Sequence, residues 1–267
     1  MTIKTNHHLI QGGALSEAQK ASIVRQLLAA RSTPEEAQRF YRGVRFPGNL
    51  DSAGRRMYPA YYIPPYQEGK KLQTVIPLSP KTHILSANAY ELELLRLLHL
   101  FAPERPGVRE MVEGTLARLK TTCFGWQGCA TGECFASGLI VLRFLAAAAP
   151  GETEWIKKLA AFFSQHYGDS TRRHGNVLWY YWLCLSELPM EIAGPEILRY
   201  ETQILRQLGR SSVMNNESDK IHHPVMACML RNCLCRFPAY AHLKGRQPYV
   251  GEKDGRLHFD LNPLLEG

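Results

Sequence analysis

The sequence lacks an apolar run long enough to cross a membrane. Its longest hydrophobic segment, residues 135–150, is interrupted by Arg143, whereas a membrane-spanning helix needs roughly 18 or more consecutive apolar residues. The first 13 residues also lack the apolar core of a secretory signal peptide. We therefore expect no membrane partner and a cytoplasmic location.

Cysteine occurs seven times, an odd number that cannot pair completely into disulfides. Together with the missing export signal, this count favours reduced thiols over a disulfide framework. We expect most of the cysteines to pack as small hydrophobic side chains.

The 267 residues carry a formal net charge of +8, and the excess lies mainly in the N-terminal third. Residues 1–85 contain 12 Lys or Arg against 5 Asp or Glu. Such a region can bind nucleic acid or an anionic small molecule. No nucleic-acid motif accompanies the charge, so a solvated basic surface is the favoured interpretation and nucleic acid is not the expected partner.

Four segments of the chain differ in composition: residues 1–45, 46–85, 86–240 and 241–267. They predict, in that order, an N-terminal helical hairpin, a loop rich in Pro, Gly and Tyr, a set of helical-hairpin repeats, and a C-terminal tail. We expect one compact domain overall, since the length suffices for a single large core.

Residues 1–13 are expected to be a loose end. Helices are predicted to start after Ser16 and Thr33, because Gln19 and Glu36 follow at the three-residue spacing of a capping box.

The second segment has no helical period, and we expect an ordered loop packed by its own aromatic side chains. At most a short strand or two is predicted around residues 72–76. The loop is either a lid or binding loop, or a strap over the helices, and the sequence leaves both open.

Prolines recur in the third segment, each after an apolar stretch, at positions 103, 150, 189 and 238. The residues seven positions earlier are Arg96, Arg143, Trp182 and Arg231. After each of the first three prolines comes a turn and a second, more charged segment with helical periodicity. The pattern predicts stacked hairpins with an apolar inner helix and an amphipathic outer helix. The arginines are expected to bridge neighbouring repeats or backbone carbonyl groups, with an anion site as the alternative.

This pairing of inner and outer helices resembles the α/α-toroid architecture over residues 86–240. Squalene-type terpenoid cyclases, protein prenyltransferases, lanthionine cyclases and several carbohydrate-active enzymes share that architecture. The resemblance implies an all-α fold with a central cavity and functional groups at the ends of the inner helices. It does not imply a reaction, and an open superhelical arc is the alternative arrangement.

The residues that define the chemistry of those families are missing. Aspartate occurs at only five positions and forms no aspartate-rich acid motif. The local Asp and Cys spacing of the prenyltransferase zinc set is absent, as is the adjacent Cys-His pair of the lanthionine cyclases.

The loops that lead into the inner helices are predicted to meet at one rim of the fold. Candidates for general acid–base catalysis there are Glu133, Glu91, His222 and His223. Candidates for ligand binding are Trp126, Tyr90, His174, Asn176 and Trp179. The structural alternatives are a helix-dipole role for Glu133 and ordinary core packing for the aromatic residues.

A zinc site is a further hypothesis for the same rim. Three or four of its ligands could come from Cys129, Cys134, His174, His222 and His223. The spacing matches no compact zinc motif, so packing without a metal is the favoured interpretation.

Two functions remain open at the level of sequence. The first is an enzyme that acts on a small or carbohydrate-like ligand in a central cavity by carboxylate and histidine chemistry. The second is a non-catalytic binding or scaffold protein that uses a concave helical-repeat surface for a peptide or protein partner.

Overall fold

The computed structural model describes residues 1–43, 56–64, 74–78, 80–168 and 176–262. The described residues form thirteen helices, one of them a 3-10 helix, and a single two-stranded sheet. The predicted all-α class is therefore confirmed. No helix among the described residues is both long and apolar enough to pass through a bilayer.

The chain begins with a helix, so the expected loose end over residues 1–13 is wrong. Helix α1 (Thr2–Ile10) buries Asn6, His7 and Ile10. A nine-residue helix is marginal in isolation, and α1 is held instead by packing against two later helices. Its formation depends on tertiary contacts that local sequence patterns do not encode.

The two predicted capping boxes are confirmed. Helix α2 (Glu17–Ala29) begins at Ser16, whose side chain accepts from the amide of Gln19 while the Gln19 side chain accepts from the amide of Ser16. Helix α3 (Pro34–Gly43) repeats this exchange between Thr33 and Glu36. Each box satisfies amide groups that a helix leaves without partners at its start.

The remaining elements follow in chain order. They are α4 (His83–Phe101), α5 (Pro106–Leu119), α6 (Cys123–Trp126), α7 (Glu133–Ala148), α8 (Thr153–Gly168), α9 (Asn176–Glu187), α10 (Met190–Arg199), α11 (Glu201–Leu208), α12 (Glu217–Leu234), the 3-10 helix (Pro238–Leu243), β1 (Tyr249–Val250) and β2 (Leu257–His258).

The apolar helices pack against one another in sequence order. Helix α4 packs on α7, α7 on α9, and α9 on α12, while α1 contacts both α12 and α4. Buried aliphatic and aromatic side chains of these helices form one continuous core, which supplies the main stabilising free energy. The toroid arrangement itself stays a prediction.

The charged segment after Pro189, expected to form one outer helix, forms two. Helices α10 and α11 meet at Tyr200, and α10 begins directly after Pro189. The described part of the predicted strand region, residues 74–76, is not a strand. The C-terminal segment contains an unpredicted antiparallel hairpin, in which Tyr249 pairs with His258.

Candidate functional site

A cavity of about 780 Å³ lies between α1, α4 and α12. Residues 74–75 close one side of it. Its apolar lining comes from all three helices and includes Ile3, Ala89, Leu94 and Val225. A volume of this size falls in the range that binds small organic molecules.

Two buried histidines form part of the cavity wall. The His7 ring lies edge-on to the His222 ring, with 5.4 Å between the ring centroids. His7 Nε2 is 2.8 Å from the carbonyl oxygen of Val75, and His222 Nδ1 is 2.8 Å from the carbonyl oxygen of Ser218. Because a carbonyl only accepts, each of these ring nitrogens carries hydrogen.

Burial lowers the pKa of His7, and the nearby His222 and Arg143 act in the same direction. The hydrogen bond to Val75 and the carboxylate of Glu93 oppose this shift but do not reverse it. His7 is therefore a neutral hydrogen-bonding group near pH 7.

Tyr90 and two lysines complete the polar lining. The Tyr90 ring is half-buried, and burial raises the pKa of its hydroxyl, so the hydroxyl is a neutral group at physiological pH. Lys4 of α1 and Lys220 of α12 are exposed residues of the same lining. Lys220 also pairs with Glu217 at 2.7 Å.

Glu93, the acidic residue of the cavity lining, is paired with an arginine. Glu93 accepts from Arg143 Nη1, at 2.7 Å to each carboxylate oxygen, and from the Tyr180 hydroxyl at 2.5 Å. Arg143 is 1% exposed. The lining of the cavity therefore carries little net negative charge.

The guanidinium of Arg143 joins four helices through one network. It donates to Glu187 of α9 at 2.8 and 3.0 Å and to Asn6 of α1 at 3.1 Å. Arg96 donates to the same two residues, at 2.8 and 3.1 Å respectively. Arg96 and Arg143 thus bridge helices, whereas Arg231 donates to the backbone carbonyls of Ile10 and Arg246. No external anion is needed to explain these contacts.

Glu91 binds backbone amides of a distant segment. It is fully buried, and its Oε2 accepts from the amides of Ala60, Tyr61 and Tyr62 at 2.9, 2.7 and 3.2 Å. Its Oε1 lies 3.0 Å from Nη2 of Arg118. This carboxylate therefore fastens residues 60–62 to α4.

Glu133 caps a helix. Glu133 is the first residue of α7. Its carboxylate accepts from the Thr82 amide at 2.9 Å and also from the amide of Lys81 and the hydroxyl of Thr82. Those groups start α4, whose free amides favour a negative charge. The two predicted catalytic carboxylates thus lie in different surroundings and outside the cavity lining.

A second cavity, of about 380 Å³, lies between α9, α11, α12 and the C-terminal hairpin. Its lining includes Trp179 and His223, two residues of the predicted site. His223 Nε2 is 3.8 Å from Asp219, and its buried Nδ1 has no hydrogen-bond partner within the ranges that the structure describes. The predicted rim is therefore split between two cavities, with Tyr90 and His222 in the larger one.

Three cysteines come together where α6, the following loop and the first turn of α7 meet. The sulfur atoms of Cys123, Cys129 and Cys134 all lie within 4.8 Å of one another. The predicted ligands Cys129 and Cys134 are thus brought together, but their partner is Cys123, and His222 is not part of the group.

The ionisation of these thiols is coupled. Burial raises the pKa of Cys134 to about 12, with the negative charge of Cys123 adding to the effect. Burial and the charge of Cys129 raise the pKa of Cys123. Burial also opposes ionisation of Cys129, but hydrogen bonds from Thr131 outweigh it and lower the pKa of that thiol.

Trp126 lies at the end of α6 and lines neither cavity. Its ring is 5.5 Å from that of Trp155, and Lys158 Nζ lies 4.7 Å from its centroid. His174 lies outside the described residues. Asn176 begins α9, but its side chain is also outside them.

Sequence reasoning missed His7 and Glu93 and undervalued Cys123. His7 stands at helical spacing between Ile3 and Ile10, which is the pattern that could have revealed α1. Glu93 is one of the few charged residues in an apolar inner helix, a position that favours a paired charge.

No protein-family model matches the chain, and neither a curated protein nor a solved structure shows significant similarity to it.

Proposed function

We propose that this chain is a binding protein for a small organic ligand with an apolar body and an acidic group, held in the cavity between α1, α4 and α12. The observation that carries the proposal is a cavity of about 780 Å³ whose lining is largely apolar but includes two buried imidazoles and Tyr90. Sites of this composition bind ligands by apolar burial and use a few polar groups for orientation.

The charges of the lining support an acidic ligand. Glu93 is neutralised by Arg143, whereas Lys4 and Lys220 stand exposed in the lining. An acidic group near these lysines would gain a favourable interaction of the kind that also raises association rates. Nδ1 of neutral His7 would accept from a hydroxyl or amine group on the apolar body of the ligand.

Acid–base catalysis by Glu91 or Glu133 has less support. The oxygens of both carboxylates accept hydrogen bonds from backbone amides, and neither residue lines the cavity. A general base must reach the proton that it removes. Binding is therefore the better-supported function.

The proposal is tested with the fluorescent anion 1-anilinonaphthalene-8-sulfonate. At about 0.3 kcal/mol for each of its roughly 21 non-hydrogen atoms, the expected Kd is about 20 µM. Ile221→Glu places a negative charge on an exposed apolar residue of the lining and should weaken binding about fivefold or more. Fluorescence titration measures both values, with native near-ultraviolet circular dichroism confirming an intact fold.

Val213→Glu is the matched control, since Val213 is an exposed apolar residue that lines the second cavity. It changes the net charge by the same amount and should leave the affinity within twofold. Saturable binding with this pattern supports the proposal. Absence of saturable binding, or equal weakening by the two variants, overturns it.

A further inference from the structure

We propose that Cys123, Cys129 and Cys134 form a tris-thiolate site for one Zn²⁺ ion, with the fourth coordination position taken by a solvent molecule. The site is separate from the ligand cavity, and its ligands come from α6, the following loop and the first turn of α7.

The spacing of the sulfur atoms suits a single metal ion. Zinc–sulfur bonds of about 2.3 Å place the sulfurs of a tetrahedral centre about 3.8 Å apart. The sulfur atoms of Cys123 and Cys134 are 3.9 Å apart, and all three lie within 4.8 Å. A disulfide needs a separation of about 2.05 Å and would leave the third thiol unpaired.

The other cysteines are arranged differently, which shows that clustering is not a general property of this chain. Cys184 donates to the carbonyl of Leu139 at 3.3 Å, and Cys233 donates to the carbonyl of Trp182 at 3.4 Å. These thiols pack in the core, whereas those of the triad face one another.

The backbone around the triad is shaped to bring the thiols together. Gly128 and Gly132 have φ angles of +76° and +54°, which residues with a side chain rarely adopt. A Cβ at Gly128 would lie 2.4 Å from the Phe162 ring. Trp155 Nε1 donates to the carbonyl of Gly125 at 2.7 Å, so the short helix that carries Cys123 is fixed against α8.

Close packing of three thiols favours a divalent cation on electrostatic grounds. Three neighbouring thiolates repel one another, and a Zn²⁺ ion removes that repulsion by binding all three. Binding releases up to three protons to solvent, so the affinity rises with pH. No further His, Cys, Asp or Glu of the described chain joins the group, and Cys123 is exposed, so the fourth position faces water.

The test uses the full chain purified under reducing conditions without chelator. Elemental analysis is expected to find about one zinc per chain, and X-ray absorption to find three sulfur ligands at about 2.3 Å and one lighter ligand. Replacement of zinc by Co²⁺ should add thiolate-to-metal charge-transfer bands. Less than roughly one zinc per three chains after incubation with zinc and dialysis, four sulfur ligands, or a Cys123–Cys134 disulfide overturns the proposal.

Variants separate this site from chance binding. Cys129→Ser and Cys123→Ser should each weaken zinc binding by more than about 100-fold, since even loss of a group that only orients a ligand costs 10–100-fold. Cys235→Ser is the matched control, because Cys235 is half-buried and bonds locally to Asn232. Circular dichroism verifies folding, and Cys123→Ser keeps the test valid if Cys129→Ser does not fold. Retention of zinc in a folded Cys123→Ser variant overturns the proposal.

Discussion

At the scale of single residues, two carboxylates, one fully buried and one half-buried, connect segments of the chain. Glu91 holds the amides of residues 60–62, and Glu133 holds those that start α4. A buried carboxylate is stable only when its charge is met by donors or cations, and here backbone amides or arginines meet it. Such residues can be mistaken for catalytic groups in a sequence, because both roles use a carboxylate in or beside an apolar helix.

His7 makes the stability of the protein depend on pH. Its pKa is lowered by burial, so the unfolded chain binds a proton near pH 6.5 before the folded chain does. The contribution of neutral His7 is therefore present above about pH 6.5 and is lost as the pH falls through the lower folded pKa. We expect the urea midpoint to fall between about pH 7 and about pH 5, and to fall less in a His7→Gln variant.

The exposed neighbour His8 supplies the control for that prediction. His8→Gln should keep the wild-type difference in urea midpoint between the two pH values, because the His8 side chain is exposed in the folded protein as well as in the unfolded chain. An identical pH difference in wild type and His7→Gln would contradict the assignment.

At the scale of elements, the loop between α6 and α7 is specified by its glycines. Gly128 combines a positive φ with close contact to Phe162. The same segment carries the thiol triad, so the backbone conformation and the proposed metal site depend on each other.

Replacement of Gly128 by Ala should destabilise the protein by about 2–5 kcal/mol. The left-handed backbone accounts for about 1–2 kcal/mol, and displacement of the Phe162 ring adds about 1–3 kcal/mol. Chemical denaturation measures the loss. Gly107→Ala is the control, since a Cβ there meets nothing within 4 Å and alanine should be neutral or slightly stabilising in a helix. Equal effects of the two changes would refute this account.

At the scale of the whole molecule, one buried network couples the helices around the core. Arg143 contacts residues of α1, α4 and α9 from its own position on α7. The elements that it joins are far apart in sequence, so their contacts form only when the chain is folded as a unit.

Arg143→Met should cost about 3–5 kcal/mol, because Glu93 would keep a buried charge without its cation and Glu187 would be left with Arg96 alone. Glu187 has a pKa that burial raises but that Arg143 and Arg96 together hold below its usual value. Urea unfolding followed by fluorescence and circular dichroism measures the change. Arg199→Met is the control, since Arg199 is half exposed in its pair with Glu196 and such a pair contributes about 0–1 kcal/mol. A similar cost for both variants would show that the network is not a major stabilising feature.

The local features of the fold were predictable from the sequence, and the candidate site only in part. The capping boxes at Ser16 and Thr33 and the inner helices α4, α7, α9 and α12 were predicted because hydrophobic period and capping chemistry act over a few neighbouring residues. Tyr90 and His222 were named from the same reasoning, and both line the larger cavity. His7 was not, because α1 depends on packing against distant helices.

The helical class and the two capping boxes follow from the sequence alone, as does the expectation that arginines bridge to neighbouring chain segments. The folded arrangement alone fixes which side chains meet. It joined His7 to His222 across more than 200 positions, set Glu91 and Glu133 on backbone amides, and brought Cys123 to Cys129 and Cys134. The physical reason is that helix propensity is local, whereas cavities, ion pairs and thiol clusters depend on where separate helices come to rest against one another.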